Sequence, residues 1–110
     1  MTKVYSEKDV CGTTRWYKED THTFHREDGP AIEFYNGNKF WFQNGKYHRI
    51  GGSAVELHDG TKLWYQNGLC HRTDGPAVEY ENGGKEYWLN GRYYSNIKTD
   101  EEWIIFQIIN

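Results

Sequence analysis

The sequence predicts an all-β protein, an antiparallel β-meander of tandem 23-residue hairpin repeats followed by a short C-terminal helical cap. Two spacings and the composition predict this fold. His-Arg pairs recur every 23 residues, beginning at His25, His48 and His71, and Asn-Gly pairs recur at the same interval from Asn44. The chain has 17% aromatic residues and 12 Gly, which is typical of strands and tight turns. A fixed period of this length is the signature of a repeat architecture.

The period divides one domain, residues 1–110, into a partial copy at 12–23, three repeats at 24–46, 47–69 and 70–92, and a C-terminal segment at 93–110. At this length the chain has room for one hydrophobic core. A terminal copy that keeps only part of the repeat pattern, as residues 12–23 do, is typical of a capping repeat.

Each repeat contains two turns, and side-chain parity predicts their geometry. A three-residue loop with a left-handed glycine, such as Gly37, pairs Glu33 with Lys39, so that opposite charges face each other. The later copies of this pair are Glu56 with Lys62 and Glu79 with Lys85. A two-residue Asn-Gly turn then pairs Phe42 with Tyr47, Tyr65 with Cys70 and Trp88 with Tyr93.

These registers give a single-layer twisted sheet with two different faces. The apolar face carries Ile32, Phe34, Phe40, Phe42, Val55, Leu57, Leu63, Tyr65, Val78, Tyr80 and Trp88. The opposite face carries the Glu-Lys pairs, with Trp41 across from His48, Trp64 across from His71, and Tyr87 across from Tyr94.

The link between hairpins is an Asp-Gly-Pro turn, because proline cannot lie in a central strand. Asp28 and Asp74 are expected to brace this turn and to pair with the neighbouring arginines. The second repeat has Gly51, Gly52 and Ser53 instead.

The C-terminal segment begins with a capping box, in which Thr99 and Glu102 bind free N–H groups at a helix start. The residues from Trp103 to Ile109 then form about two turns of helix. A final strand is the alternative, because isoleucine favours extended structure. This apolar segment is expected to pack over the end of the apolar face near Val78, Tyr80 and Trp88, and its remaining surface to support a symmetric homodimer.

Charge and cysteine content narrow the functional classes. The net charge is -3 without runs of like charge, so direct nucleic-acid binding is not expected. Cys70 replaces an aromatic repeat position and is expected to be a core thiol, a disulfide with Cys11 being the alternative. The first ten residues lack an apolar signal segment and no stretch is long enough to span a membrane, so a soluble, cytoplasmic protein is expected.

Catalysis and cofactor binding are not expected. Histidines displaced by equal spacing along a sheet cannot converge on one metal ion, and no serine or cysteine nucleophile accompanies a base.

The string from Trp64 to Ala77, Trp-x-x-Asn-Gly-x-x-His-Arg-x-Asp-Gly-Pro-Ala, resembles a repeat of small phage and large-virus proteins. It is also similar in length and hairpin organisation to MORN-type repeats. This resemblance covers residues from about 12 to 94. It implies a protein-interaction module, and the phage resemblance implies a host protein as partner, with an anti-CRISPR-like defence inhibitor as one form and the host cytoplasm as location.

The residues predicted to bind this partner lie on the face opposite the apolar one. They are Trp41, His48, Arg49, Trp64, His71, Arg72, Tyr87 and Tyr94. Large aromatic residues beside arginine are typical anchors of interfaces. The same stripe also suits internal packing of the ladder, and a small nucleotide-like ligand held between the aromatic rings and Arg26, Arg49 or Arg72 is the alternative function.

Overall fold

A computed structural model describes residues 2–110, and strands linked by tight turns make up most of it. The elements in chain order are β1 (Val4–Lys8), β2 (Thr14–Lys18), β3 (Ile32–Glu33), β4 (Lys39–Phe40), β5 (Phe42–Gln43), β6 (Lys46–Tyr47), β7 (Val55–Glu56), β8 (Lys62–Leu63), β9 (Tyr65–Gln66), β10 (Leu69–Cys70), β11 (Val78–Glu79), β12 (Lys85–Glu86), β13 (Trp88–Leu89), β14 (Arg92–Tyr93) and α1 (Asp100–Ile109).

Eight strands form an open antiparallel sheet in the order β1-β2-β3-β4-β7-β8-β11-β12. The hairpins β5-β6, β9-β10 and β13-β14 are three separate two-stranded ladders. The predicted all-β meander with a C-terminal helix is therefore confirmed. The molecule measures 46 × 31 × 18 Å, an elongated shape that follows from stacking one hairpin beside the next.

The strand register produces one charged row and one apolar row. Glu33 pairs with Lys39, and Lys39 pairs in turn with Glu56 of the next hairpin. The row continues through Lys62, Glu79 and Lys85. One residue away, Ile32, Phe40, Val55, Leu63 and Val78 form the parallel row. Because adjacent residues of a strand point to opposite faces, these rows confirm the predicted pairs and the two-faced sheet.

The Asn-Gly turns have the predicted two-residue geometry. Asn44 and Gly45 have φ of 52° and 77°, and the pairs Phe42 with Tyr47, Tyr65 with Cys70 and Trp88 with Tyr93 lie across from each other. Two successive positive φ values define a type I′ turn, whose twist matches that of the strands it joins.

A column of aromatic rings begins on β1 and β2 and continues along the apolar face of the short hairpins. Tyr5, Tyr17, Phe24, Phe42, Tyr47 and Tyr65 follow one another with centroids 4.6 to 5.3 Å apart. Cys70 interrupts the column before Trp88 and Tyr93, whose rings are 5.2 Å apart. Cys70 is a free, buried thiol, as predicted, and burial raises its pKa to about 12.

The first strand was not predicted from the sequence. β1 pairs along its whole length with β2, from Val4 opposite Lys18 to Lys8 opposite Thr14. It lies outside the 23-residue period, so the repeat carries no signal for it.

The C-terminal segment is a helix, so the alternative of a final strand is wrong. The Thr99 hydroxyl accepts a hydrogen bond from the Glu102 N–H, and the Glu102 carboxylate accepts one from the Thr99 hydroxyl. Three acidic residues in the first turn add favourable charge at the N-terminus of α1.

The predicted position of this segment, over Val78, Tyr80 and Trp88, is wrong. The fully buried Trp103 packs on the opposite face, with its ring centroid 5.5 Å from that of Tyr87 and 5.4 Å from that of Tyr94. Ser95 occupies the repeat position of Arg49 and Arg72, and a serine side chain is too short to cover Tyr87. The apolar side of α1 covers it instead.

The outer side of α1 exposes Ile104, Ile105, Ile108 and Ile109. The homodimer through this segment stays a prediction. Across residues 2–110, no helix has the length and apolar character needed to cross a bilayer.

Candidate functional site

Three Trp-Arg stacks lie along the face opposite the apolar one. The guanidinium carbons of Arg26, Arg49 and Arg72 lie 4.5, 4.0 and 4.0 Å from the ring centroids of Trp16, Trp41 and Trp64. The partial copy has Trp16 and Tyr17 in the aromatic repeat positions and a longer turn, because Trp16 precedes its histidine by nine residues whereas Trp41 and Trp64 precede theirs by seven. The stack of Arg26 on Trp16 itself was not predicted.

Each arginine also binds the turn that follows it and a neighbouring strand. Nη1 donates to the carbonyl oxygen four residues later, at Pro30, Ser53 and Pro76, over 3.0 to 3.2 Å. The same atom lies 2.8 to 3.6 Å from the carboxylates of Glu33, Glu56 and Glu79. Nε of Arg26 and Arg72 donates to Asp28 and Asp74, which confirms the predicted local pairs. A phosphate group would have to compete with these carboxylates for the guanidinium.

The glycine of each turn lies against the guanidinium. A Cβ atom at Gly29, Gly52 or Gly75 would come within 2.9, 2.7 and 2.9 Å of the arginine Cζ. The guanidinium is therefore held between a tryptophan ring and the glycine backbone. This close approach explains why all three copies carry glycine here although the second has lost the aspartate and the proline.

The histidines of the His-Arg pairs connect the two ends of each repeat. Nδ1 of His25, His48 and His71 accepts a hydrogen bond from the backbone N–H of Asn44, Asn67 and Asn90, over 2.9 to 3.0 Å. Nδ1 must be unprotonated to accept, so the proton lies on Nε2. Each imidazole thus satisfies the N–H at the Asn-Gly turn of its own repeat. Within residues 2–110 no three His, Cys, Asp or Glu side chains form a metal-binding group.

Two equivalent grooves open between the repeats on this face. The first, groove 1, has a volume of about 490 Å³, with the turn at 27–30 on one wall and Trp41, Gln43, His48, Arg49 and Ile50 on the other. The second, groove 2, has about 230 Å³ and lies between Arg49, Gly51 and Gly52 on one side and Trp64, Gln66, His71, Arg72, Thr73 and Asp74 on the other. Six of the eight predicted site residues therefore line these two grooves.

The remaining two predicted residues, Tyr87 and Tyr94, lie beneath α1. They occupy the repeat positions of Trp41 and His48, one groove further along, and the helix fills this third groove. Trp103 Nε1 donates to the carbonyl oxygen of Arg72 over 3.0 Å, and Gln107 Nε2 donates to that of Thr73 over 2.7 Å. Tyr87 is 1% exposed, so its ring belongs to the core of this fold and is closed to a partner.

The hydroxyl of Tyr87 fixes the start of α1. It donates to the Asp100 carboxylate over 2.6 Å, and burial together with this bond raises the pKa of Tyr87. The tyrosine therefore keeps its proton at neutral pH and holds the helix on the third groove.

Two other surface depressions lie away from the repeated Trp, His and Arg residues. One of about 550 Å³ lies at the edge of the sheet, against Thr2, Lys3, Lys18, Glu19 and Asp20, and contains none of the repeated Trp, His or Arg residues. A shallow apolar one of about 190 Å³ lies on the other face, at Ile32, Phe34, Phe40, Phe42 and Tyr47.

The fold and the grooves define a tandem β-hairpin repeat protein with a helical cap. The chain matches no protein-family model, no curated protein and no solved structure. The resemblance of its repeat to those of phage, large-virus and MORN-type proteins stays a prediction.

Proposed function

We propose that this chain is a non-enzymatic protein-interaction module that binds its partner in grooves 1 and 2. The supporting observation is that the same combination of tryptophan, arginine and histidine recurs in two open grooves along one face. Because the arginines are held from both sides, these grooves are preorganised, and binding loses little side-chain entropy.

The resemblance to phage and large-virus proteins directs the search for the partner to proteins of an infected host, defence proteins among them. A small accessory protein that covers a working surface of such a protein would inhibit it without any chemistry of its own. An elongated face with two equivalent grooves suits this mode of action, since two contacts made together raise the effective affinity.

Exposed residues of the groove walls allow a test that leaves the fold intact. Trp64 is a poor choice, because it supports Arg72 and packs against the core. Ile50 is 70% exposed on the wall of groove 1, and Thr73 is its equivalent in groove 2. Tyr35 is 72% exposed at a hairpin tip outside both grooves, so Tyr35→Glu is a matched control for Ile50→Glu and Thr73→Glu.

We expect the intact chain and Tyr35→Glu to capture the same protein from a candidate host lysate in stoichiometric amount. Combining Ile50→Glu with Thr73→Glu should abolish this capture, because carboxylates placed at the centre of an interface are strongly unfavourable. Equal capture by all variants, or no stoichiometric partner, would contradict the proposed function.

A further inference from the structure

The third groove, which α1 fills, has the same backbone geometry as the two open grooves. Tyr94 N–H donates to the Tyr87 carbonyl over 3.0 Å, just as His48 N–H donates to Trp41 and His71 N–H to Trp64 over 3.1 and 3.0 Å. The backbone that forms the grooves is thus repeated three times, and α1 occupies one copy. We propose that grooves 1 and 2 each take an amphipathic helix of the partner that presents a tryptophan and, one turn later, a glutamine. This inference rests on the proposed function.

The contacts of α1 define the two anchors. The Trp103 indole covers the aromatic floor of its groove and donates to a turn carbonyl, while Gln107, one turn further, donates to the next carbonyl. Residues four apart lie on the same side of a helix, so both donors reach one wall together. A segment that makes both of these bonds must be a helix whose axis runs along the turn.

The acceptors for these donors are present in both open grooves. The repeat positions of Arg72 and Thr73 are Arg26 and Glu27 in groove 1, and Arg49 and Ile50 in groove 2. Within residues 2–110 the four equivalent carbonyl oxygens accept no hydrogen bond from the protein. A partner helix can therefore use the bonds that α1 uses in the third groove.

The floors of the open grooves differ from that of the third in one respect. Arg49 covers Trp41 and Arg72 covers Trp64, whereas Tyr87 has only Ser95 at the corresponding position. In groove 1 the partner's indole therefore lies beside Arg49, against His48 and Ile50. In groove 2 it lies beside Arg72, against His71 and Thr73. Groove 1 has the larger volume, which suits this additional ring.

Charge distinguishes the two open grooves. Groove 1 has the exposed carboxylates of Glu27 and Asp28 at its edge and one arginine, Arg49, whereas groove 2 has one exposed carboxylate, that of Asp74, beside Arg49 and Arg72. A helix with basic residues beside its tryptophan is therefore expected to prefer groove 1. This preference should weaken as salt is added, because the carboxylates are solvent-exposed.

A peptide derived from α1 is the probe. It contains residues 97–110 with Ile104→Lys, Ile105→Lys, Ile108→Lys and Ile109→Lys, which remove the outer apolar surface and supply the basic flank. The control peptide carries Trp103→Ala in addition. Binding to the full chain is followed by amide NMR shifts, with Gln43 and Ile50 reporting on groove 1 and Gln66 and Thr73 on groove 2.

We expect saturable shifts at Gln43 and Ile50, a control peptide that binds at least about tenfold more weakly, and loss of binding in Ile50→Lys, which brings a like charge against the basic peptide, but not in Tyr35→Lys. Shifts confined to Tyr87 and Tyr94 would mean that the peptide only exchanges with α1, and would overturn the inference. No saturable binding would overturn it as well. If the lysate partner still depends on Ile50 and Thr73 in that case, the proposed function stands and its partner is not a tryptophan-bearing helix.

Discussion

Replacing Gly52 with alanine tests whether the arginine stack is held by the glycine of the turn. The new Cβ would lie 2.7 Å from Arg49 Cζ and 2.9 Å from Nε and Nη1, well inside ordinary contact distance. The Trp41 ring, 4.0 Å from Cζ, blocks movement in the other direction. The guanidinium must therefore leave its place. The backbone itself is not the obstacle, because Gly52 does not have a positive φ.

The cost follows from the contacts that Arg49 would lose. A partly exposed cation–π contact contributes about 0.5–1 kcal/mol, and the hydrogen bond to the Ser53 carbonyl about 1–2 kcal/mol. Alanine also restricts the unfolded chain, which offsets about 0.4–1 kcal/mol. We therefore expect Gly52→Ala to lower the free energy of unfolding by about 1–2 kcal/mol.

A double-mutant cycle with Arg49→Ala isolates this effect. Urea unfolding, followed by tryptophan fluorescence, is measured for both single variants and for the pair. With the guanidinium removed, Gly52→Ala should become slightly stabilising, so the coupling energy should equal the contribution of the lost contacts, about 1.5–3 kcal/mol. If Gly52→Ala costs the same in both backgrounds, the glycine is not needed for the arginine and the reasoning is refuted.

Two further predictions concern titratable groups. The Arg15 side chain lowers the pKa of Asp9, and the Thr61 backbone N–H lowers the pKa of Asp59. Both carboxylates therefore contribute stability at neutral pH that is lost as the pH falls below the ordinary value of 3.8. On acid titration, the free energy of unfolding of Asp9→Asn should fall less than that of the parent chain. At pH 7 a thiol reagent should modify Cys11 but reach Cys70 only after unfolding, since the Cys70 thiol is buried and protonated, and fast labelling of both would contradict this.

Most of the sheet could be predicted because its determinants are local. In a strand, a shift of one residue exchanges the two faces, so the opposition of Glu33 to Lys39 and of Phe42 to Tyr47 leaves one register for each hairpin. The Asn-Gly turns impose the same two-residue connection in every repeat. The capping box of α1 is local in the same way, since Thr99 and Glu102 bind within one turn of helix.

The candidate site could be predicted only as a set of residue types. Trp41, His48 and Arg49 were expected on one face and do line one groove, but their individual roles depend on neighbours distant in sequence. Nδ1 of His48 accepts a hydrogen bond from the N–H of Asn67 at the other end of the same repeat, and no local pattern indicates that bond. Tyr87 was expected at the surface because its periodicity matches that of Trp41 and Trp64, yet it is buried.

The sequence by itself determined the hairpins, their registers and the capped helix, because each depends on alternation, turn residues or capping within a few positions. The tertiary structure alone decided which face α1 covers. Both faces near the last repeat offered aromatic residues, Trp88 on one and Tyr87 on the other. The deciding factor is the side chain at position 95, which is serine where the earlier repeats have arginine. Because serine leaves the Tyr87 ring uncovered, Trp103 buries that ring, and its indole N–H donates to the Arg72 carbonyl oxygen. Such a choice compares burial on two surfaces that exist only once the sheet has formed.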